Sequence, residues 1–182
     1  MKSDKIVQFV FFETPVHFSD EQFTMHWEQY TRSDNGNSNI NLQRSQKNGL
    51  FRYIAQHRLA SNSAEFVFEK ARRSSRIPEI EIRAKKLGGY SVLQLQRMND
   101  AHGDETKVFA FFSQAPSDLD VYRQLSAHGK LNIYEAYYEN CRYAYILEFF
   151  TNDRYVSELL LQLQQNKPDE VGAYKEFALQ ES

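Results

Sequence analysis

Along this chain the spacing of apolar residues switches between the two-residue period of a strand and the 3.6-residue period of a helix, and the switches outline the elements. Residues 6–13 make a dense apolar strand. Ser19-Asp20-Glu21-Gln22 then reads as a capping box, in which the Ser hydroxyl and the Gln side chain satisfy backbone N–H groups left over at a helix start. Phe23, Trp27 and Tyr30 follow at i, i+4 and i+7, one helical face. Residues 50–59 alternate, with Phe51, Tyr53, Ala55, His57 and Leu59 on one side, and 65–72 read as a further strand with Phe66 and Phe68 on one face. A helix is expected next, with Pro78 in its first turn, Ile77, Ile80, Ala84 and Leu87 as its stripe and Gly88-Gly89 as its cap. Ile80 and Ile82 between glutamates also fit a strand. Residues 90–98 form the fourth strand.

The same order is read again downstream. Residues 107–113 are a strand, and Ser117 caps a helix carrying Val121, Tyr122 and Leu125. Residues 131–139 and 142–150 form a hairpin across Asn140-Cys141. Asn152 opens a helix with Val156, Leu159, Leu160 and Leu163 on one face, and residues 174–179 close the set. Three echoes link the copies. Phe9-Val10-Phe11-Phe12-Glu13-Thr14-Pro15 matches Phe109-Ala110-Phe111-Phe112-Ser113-Gln114-Ala115-Pro116, Leu50–Ala55 matches Leu131–Ala136, and Gly88-Gly89-Tyr90 matches Gly172-Ala173-Tyr174. Their offsets are 100, 81 and 84, which puts one long insertion in the polar stretch 32–48. The expected fold class is therefore α+β: two tandem ferredoxin-like βαββαβ modules, 1–100 and 101–182. One such sheet leaves a face bare, so the two antiparallel sheets are expected to cover each other as an intrachain pseudo-dimer.

Composition narrows the function classes. Of 182 residues 41% are hydrophobic and 14% aromatic, enough for a packed core, and the formal net charge of -2 gives none of the basic excess that phosphate backbones require. RNA-recognition modules share the βαββαβ order, but Glu65-Phe66-Val67-Phe68-Glu69 sets carboxylates where their cations belong, so no nucleic-acid partner is expected. The first apolar stretch, 6–12, is too short for a secretory or membrane segment. Cys141 is the single cysteine, so no intrachain disulfide forms. The expected setting is cytoplasmic, with no membrane partner.

Residues 9–59 resemble the EthD family of the dimeric α/β-barrel group. The likeness rests on the Phe-rich first strand, on Ser19-Asp20-Glu21-Gln22-Phe23 with His26-Trp27-Glu28, and on Gly49-Leu50-Phe51-Arg52-Tyr53-Ile54-Ala55-Gln56-His57. It covers about a third of the chain. It implies a ferredoxin-like fold, a pocket between sheet and helices, and either a monomeric pseudo-dimer or a homodimer. Relatives in that group include cofactor-free oxygenases and polyketide cyclases. The family's usual His late in the first helix, followed by a small residue and Pro, is here Tyr30-Thr31-Arg32. Chemistry resting on that His would not carry over.

The candidate chemistry centres on His57, a general base with an ordinary pKa near 6.5, with Tyr53 on the same strand face. Trp27, Tyr30 and His26 on the first helix, with Tyr134 and Tyr138 from the second copy, are the expected lining of a site for a small hydrophobic or aromatic metabolite. Each has a plainer reading: His57 as a hydrogen-bonded histidine at a sheet edge, His26 as a solvated helix residue, and the tyrosines as a buried interface between sheets. No cofactor is expected, because no G-x-G-x-x-G or phosphate-cradling loop occurs. His17, His26 and His57 are not spaced as metal ligands, so no metal is expected either. The sequence names no reaction, and a non-catalytic structural or regulatory role on the same fold is the competing reading.

Overall fold

The computed structural model describes residues 5–13, 19–33, 40–60, 83–95, 106–125, 130–136 and 143–177. Eight strands are seen among them: β1 (Lys5–Glu13), β2 (Ile40–Lys47), β3 (Tyr53–Ala60), β4 (Arg83–Leu95), β5 (Thr106–Phe112), β6 (Lys130–Ala136), β7 (Tyr145–Thr151) and β8 (Glu170–Glu176). Three helices accompany them: α1 (Asp20–Ser33), α2 (Leu119–Leu125) and α3 (Asp153–Gln165). The strands close into an antiparallel barrel in the order β1-β3-β2-β8-β5-β7-β6-β4. Closure leaves no edge strand among the described residues. This is an α+β architecture of the ferredoxin-like, dimeric α/β-barrel kind. No helix among the described residues is long and apolar enough to cross a membrane.

Within the ring each half follows one plan. β1 lies between β3 and β4 with β2 beyond β3, and β5 lies between β7 and β8 with β6 beyond β7. The registers correspond. Phe12 faces Tyr53 as Phe112 faces Tyr145, and Phe9 faces Gly88 as Phe109 faces Gly172. Residues that correspond between the halves also meet inside the barrel. Phe9 and Phe109 are 6.2 Å apart edge to face, and Phe11 and Phe111 5.7 Å. Rings fill the interior: Phe51, Tyr134, Tyr143 and Tyr174 join these four in one buried cluster. All seven residues of β5 are buried, because both faces of the strand are covered.

Helices cover the outside. Val10, Phe12, Leu42, Tyr53 and Ala55 pack beneath Phe23 and Trp27 of α1. The stripe Val156, Leu159, Leu160 and Leu163 of α3 is buried with Tyr122 of α2 against Val108, Ala110, Leu131, Ile133, Leu147, Phe149 and Ala173. The capping box is present: Gln22 N–H donates to Ser19 Oγ at 3.1 Å and Ser19 N–H to Gln22 Oε1 at 2.8 Å. Between β2 and β3, Asn48 takes φ 57°, a left-handed conformation that Asn tolerates. Gly49 follows, where a Cβ would stand 2.6 Å from the Tyr174 hydroxyl oxygen.

Three expectations change. Up to Lys47, the described parts of the polar stretch 32–48 are regular structure and not a loop. α1 runs to Ser33 and β2 spans Ile40–Lys47, a strand with only Ile40 and Leu42 to mark it as apolar, because its inward position 43 is a glutamine. The strand beginning near Leu50 is consequently third in its half, and its partner in the other half is β7 rather than the stretch at Leu131, so the middle echo does not mark corresponding positions. The helix expected up to Leu87 is overturned over its described part: Ala84, Leu87, Gly88 and Gly89 lie in β4, hydrogen-bonded between β1 and β6. A short apolar run fits either period, and here two waiting strand edges decide it. The strand expected at 65–72 and the start of that helix lie outside the described residues.

Candidate functional site

Tyr53 opens β3 on the outer face of the first half. Its ring stacks on Phe23 at 3.7 Å between centroids and 9° between planes, and its hydroxyl is hydrogen-bonded to Asp20 in the first turn of α1. Burial, then the Asp20 hydrogen bond, pushes the phenol above its ordinary pKa. Asp20 also takes Arg44 at 2.7 Å and Arg52 at 3.3 Å. The Arg44 guanidinium lies 6.0 Å from the Phe177 ring and that of Arg52 5.6 Å from the Tyr53 ring. Trp27 sits one helical turn beyond Phe23, 5.6 Å edge to face from Phe12, and is buried. This end of the sheet–helix interface is filled with side chains.

The other end holds His57. α1 connects β1 to β2, which run parallel to each other, so the helix travels in the direction of β3. Seven residues of helix from Phe23 to Tyr30 advance roughly 10 Å, and four residues of strand from Tyr53 to His57 roughly 13 Å. Positions 26, 30 and 57 therefore lie toward the same end. His57 faces Gln8 on β1 and Ile40 on β2, and Gln8 in turn faces Gly89 on β4. The side chains of Gln8, His26, Tyr30, Ile40, His57 and of all residues of β4 are outside the described ones, and so is all of Tyr138.

The corresponding row in the second half is fully described. Register equates Ile40, His57, Gln8 and Gly89 with Leu131, Phe149, Val108 and Ala173. Those four are buried in the cluster beneath α3. Where the second half is apolar throughout, the first has an imidazole, a carboxamide and a glycine. The connection taken by α3 in the second half is taken in the first by residues 61–82, outside the described residues.

Tyr134 lies on the opposite side of the wall, inside the barrel. Its hydroxyl donates to Glu148 Oε2 at 2.5 Å, beside Asn132 Nδ2 at 3.0 Å. Gln56 Nε2 donates to Glu148 Oε1 at 3.0 Å, and Lys107 Nζ reaches the same oxygen at 3.2 Å and Gln56 Oε1 at 3.1 Å. Burial alone would raise the pKa of Glu148. The Lys107 charge and the hydrogen bonds from Tyr134, Asn132 and Gln56 outweigh it and hold the carboxyl below its ordinary value. The structure thus brings Tyr53 and Trp27 together and sets Tyr134 apart from them. Sequence reading passed over this interior network, although Lys107, Glu148 and Gln56 each interrupt an apolar strand, a readable sign of buried polarity. Among the described residues no group of three or more His, Cys, Asp or Glu side chains is placed to hold a metal.

No family model matches the chain, and no curated protein sequence matches it. Solved structures do resemble it. A chlorite dismutase-like protein superposes with a TM-score of 0.60 at 11% identity, covering 97% of this chain and 96% of its own. A tryptophan-to-valine mutant of chlorite dismutase from Candidatus Nitrospira defluvii gives 0.58 at 13% identity, covering 100% and 94%. A double mutant of the same enzyme gives 0.58 at 14%, covering 98% and 94%. At such identities the likeness concerns the fold alone.

Proposed function

We propose that the chain is an EthD-like small-molecule protein with a sheet–helix pocket on the outer face of β1–β4, at the His57 end, for a small hydrophobic or aromatic metabolite. His57 is its general base, in chemistry of the cofactor-independent oxygenase, cyclase or isomerase kind. One observation carries the reading: His57 and Gln8 hold the register positions at which the other half buries Phe149 and Val108. A row built for apolar packing in one half is polar in the other, and polar groups set on a hydrophobic wall are what orient a ligand. Tyr30 and His26 border the site from α1, while Tyr53, held by Asp20, and Trp27 form its closed end. Tyr134, which faces the barrel interior, is no part of this outer-face site, and Tyr138 enters the proposal only as lining from the second half.

A second reading has its own support. Trp27 and Tyr53 are packed into a core cluster, which favours a non-catalytic structural or regulatory ligand-binding protein of the same fold. Native mass spectrometry of the gently purified chain separates the readings and weighs the assembly, whether monomeric pseudo-dimer or homodimer. The expected result is a retained small molecule that His57→Ala releases. A chain that carries nothing, and is unchanged by His57→Ala, would favour the second reading.

A further inference from the structure

We propose that the polar mouth of the barrel binds a small neutral molecule carrying an amide group, and that Gln43 recognises it. This second site lies on the inner face of the sheet, apart from the outer-face pocket. Leu42 and Phe177 pack in the outer cluster with Tyr53, and Lys175 reaches Asp153 of α3 at 2.6 Å. Strand alternation therefore turns Gln43, Tyr174 and Glu176 inward, and Tyr174 is part of the interior cluster. Gln43 faces Ile54 on β3 and Glu176 on β8.

The two ends of the interior differ. One is aromatic, with Phe11 stacked on Phe51 at 4.7 Å and Phe111 against Tyr143 at 4.9 Å. At the other, Asn41, Gln43 and Gln56 stand beside Lys107, Asn132 and Glu148. Gln56, Lys107, Asn132 and Glu148 bond to one another. The Gln43 side chain, 0% exposed, has no partner for its nitrogen or its oxygen among the described residues. An unpaired buried carboxamide opposes folding, so its presence is accounted for by a group that enters from outside. Solvent is one side chain away: Glu176, directly opposite, is exposed, and Asn41 is half-buried. A carboxamide sets a donor and an acceptor side by side, and another amide is its complement. Charge argues against an ion. Lys107 and Glu148 already pair at 3.2 Å, and an anion would have to pass the Glu176 carboxylate. A neutral amide makes two hydrogen bonds to Gln43 and buries no charge.

Titration of the isotope-labelled full chain with acetamide, followed by NMR, tests this. The side-chain amide signals of Gln43 are assigned as the pair missing from Gln43→Met. Acetamide should shift them saturably. Acetone, which keeps the carbonyl but lacks the N–H, and acetate, which is charged, should each bind at least about tenfold more weakly. Gln43→Met should abolish the saturable shifts at the backbone amides of Ile54 and Tyr174 while raising the urea midpoint, which separates lost recognition from lost folding. Glu176→Gln should keep acetamide binding and raise acetate binding about fivefold, and it carries the test if Gln43→Met fails to fold. Gln43 signals that acetamide does not move would overturn the proposal. So would acetone binding as tightly as acetamide, or acetamide shifts that persist unchanged in Gln43→Met.

Discussion

Leu131, Phe149, Val108 and Ala173 lie side by side across four strands beneath α3, whereas Ile40, His57, Gln8 and Gly89 hold the corresponding row in the other half. The backbone plan is the same in both: strand order, pairing partners and even the edge-to-face meeting of Phe12 with Phe23, at 5.3 Å, and of Phe112 with Tyr122, at 5.4 Å. What differs is the chemistry on the outer face. Fold requirements account for the apolar row, since it buries a helix stripe. They do not account for a histidine and a glutamine in a place where Phe and Val do the packing. A departure from local consistency of this kind points to function before stability.

The largest effect is expected where the halves are joined rather than where they differ. Glu148 and Lys107 are 1% and 5% exposed, and Gln56 of the first half bonds to both. Removing one charge strands the other inside the barrel, so Glu148→Leu or Lys107→Met should each cost about 3–5 kcal/mol in urea denaturation. The double substitution removes both charges and should recover most of that loss. If the double variant is as unstable as the sum of the singles, the network is not the tie between halves described here. The folded-state pKa of Glu148 is held below its ordinary value, so its ionised form contributes stability above that value and loses the contribution as pH falls through the folded one. The double variant should show a flatter decline in acid.

Exchanging residues between the rows sharpens the contrast itself. Phe149→His sets an imidazole beneath α3, where Phe149 is 1% exposed, and should cost about 3 kcal/mol through lost packing and an unpaired polar group. If position 57 faces a pocket, the reciprocal His57→Phe should change stability by about 0.5 kcal/mol or less while abolishing ligand retention. Equal large losses from both exchanges, read from urea midpoints at pH 8, would mean that the rows are packed alike and that position 57 is core.

Much of this plan could be read before the coordinates. The second half's elements, the α3 stripe and the capping box rest on strong local signals: a sustained 3.6 period, and Ser19 paired with Gln22. The outer echoes at Phe9 and Gly88 also mark corresponding positions. The first half was harder for physical reasons. β2 keeps few apolar residues because Gln43 faces inward and Arg44 reaches out to Asp20. Arg83–Leu95 becomes a strand through pairing with β1 and β6, partners distant in sequence that no local pattern announces. For the candidate site, His57 and Tyr53 were visible as one strand face. That Tyr134 looks into the barrel, and that Gln8 stands beside His57, are matters of register, which single-strand alternation does not fix.

The smallest effect concerns the interior difference between the halves. Gln43 corresponds to Tyr134: one faces Ile54 on β3, the other Ile146 on β7. Tyr134 is tied to Glu148, but the Gln43 carboxamide, fully buried, has no partner for its oxygen or its nitrogen among the described residues. A buried amide without hydrogen bonds opposes folding, while an unbranched apolar side chain of similar volume fills the same space at no such cost. Gln43→Met should therefore raise stability by about 1 kcal/mol, seen as a higher urea midpoint with unchanged slope. A loss of stability would reverse the inference, because it would mean that the amide finds its partner beyond the described residues and that the interiors of the two halves are equally satisfied.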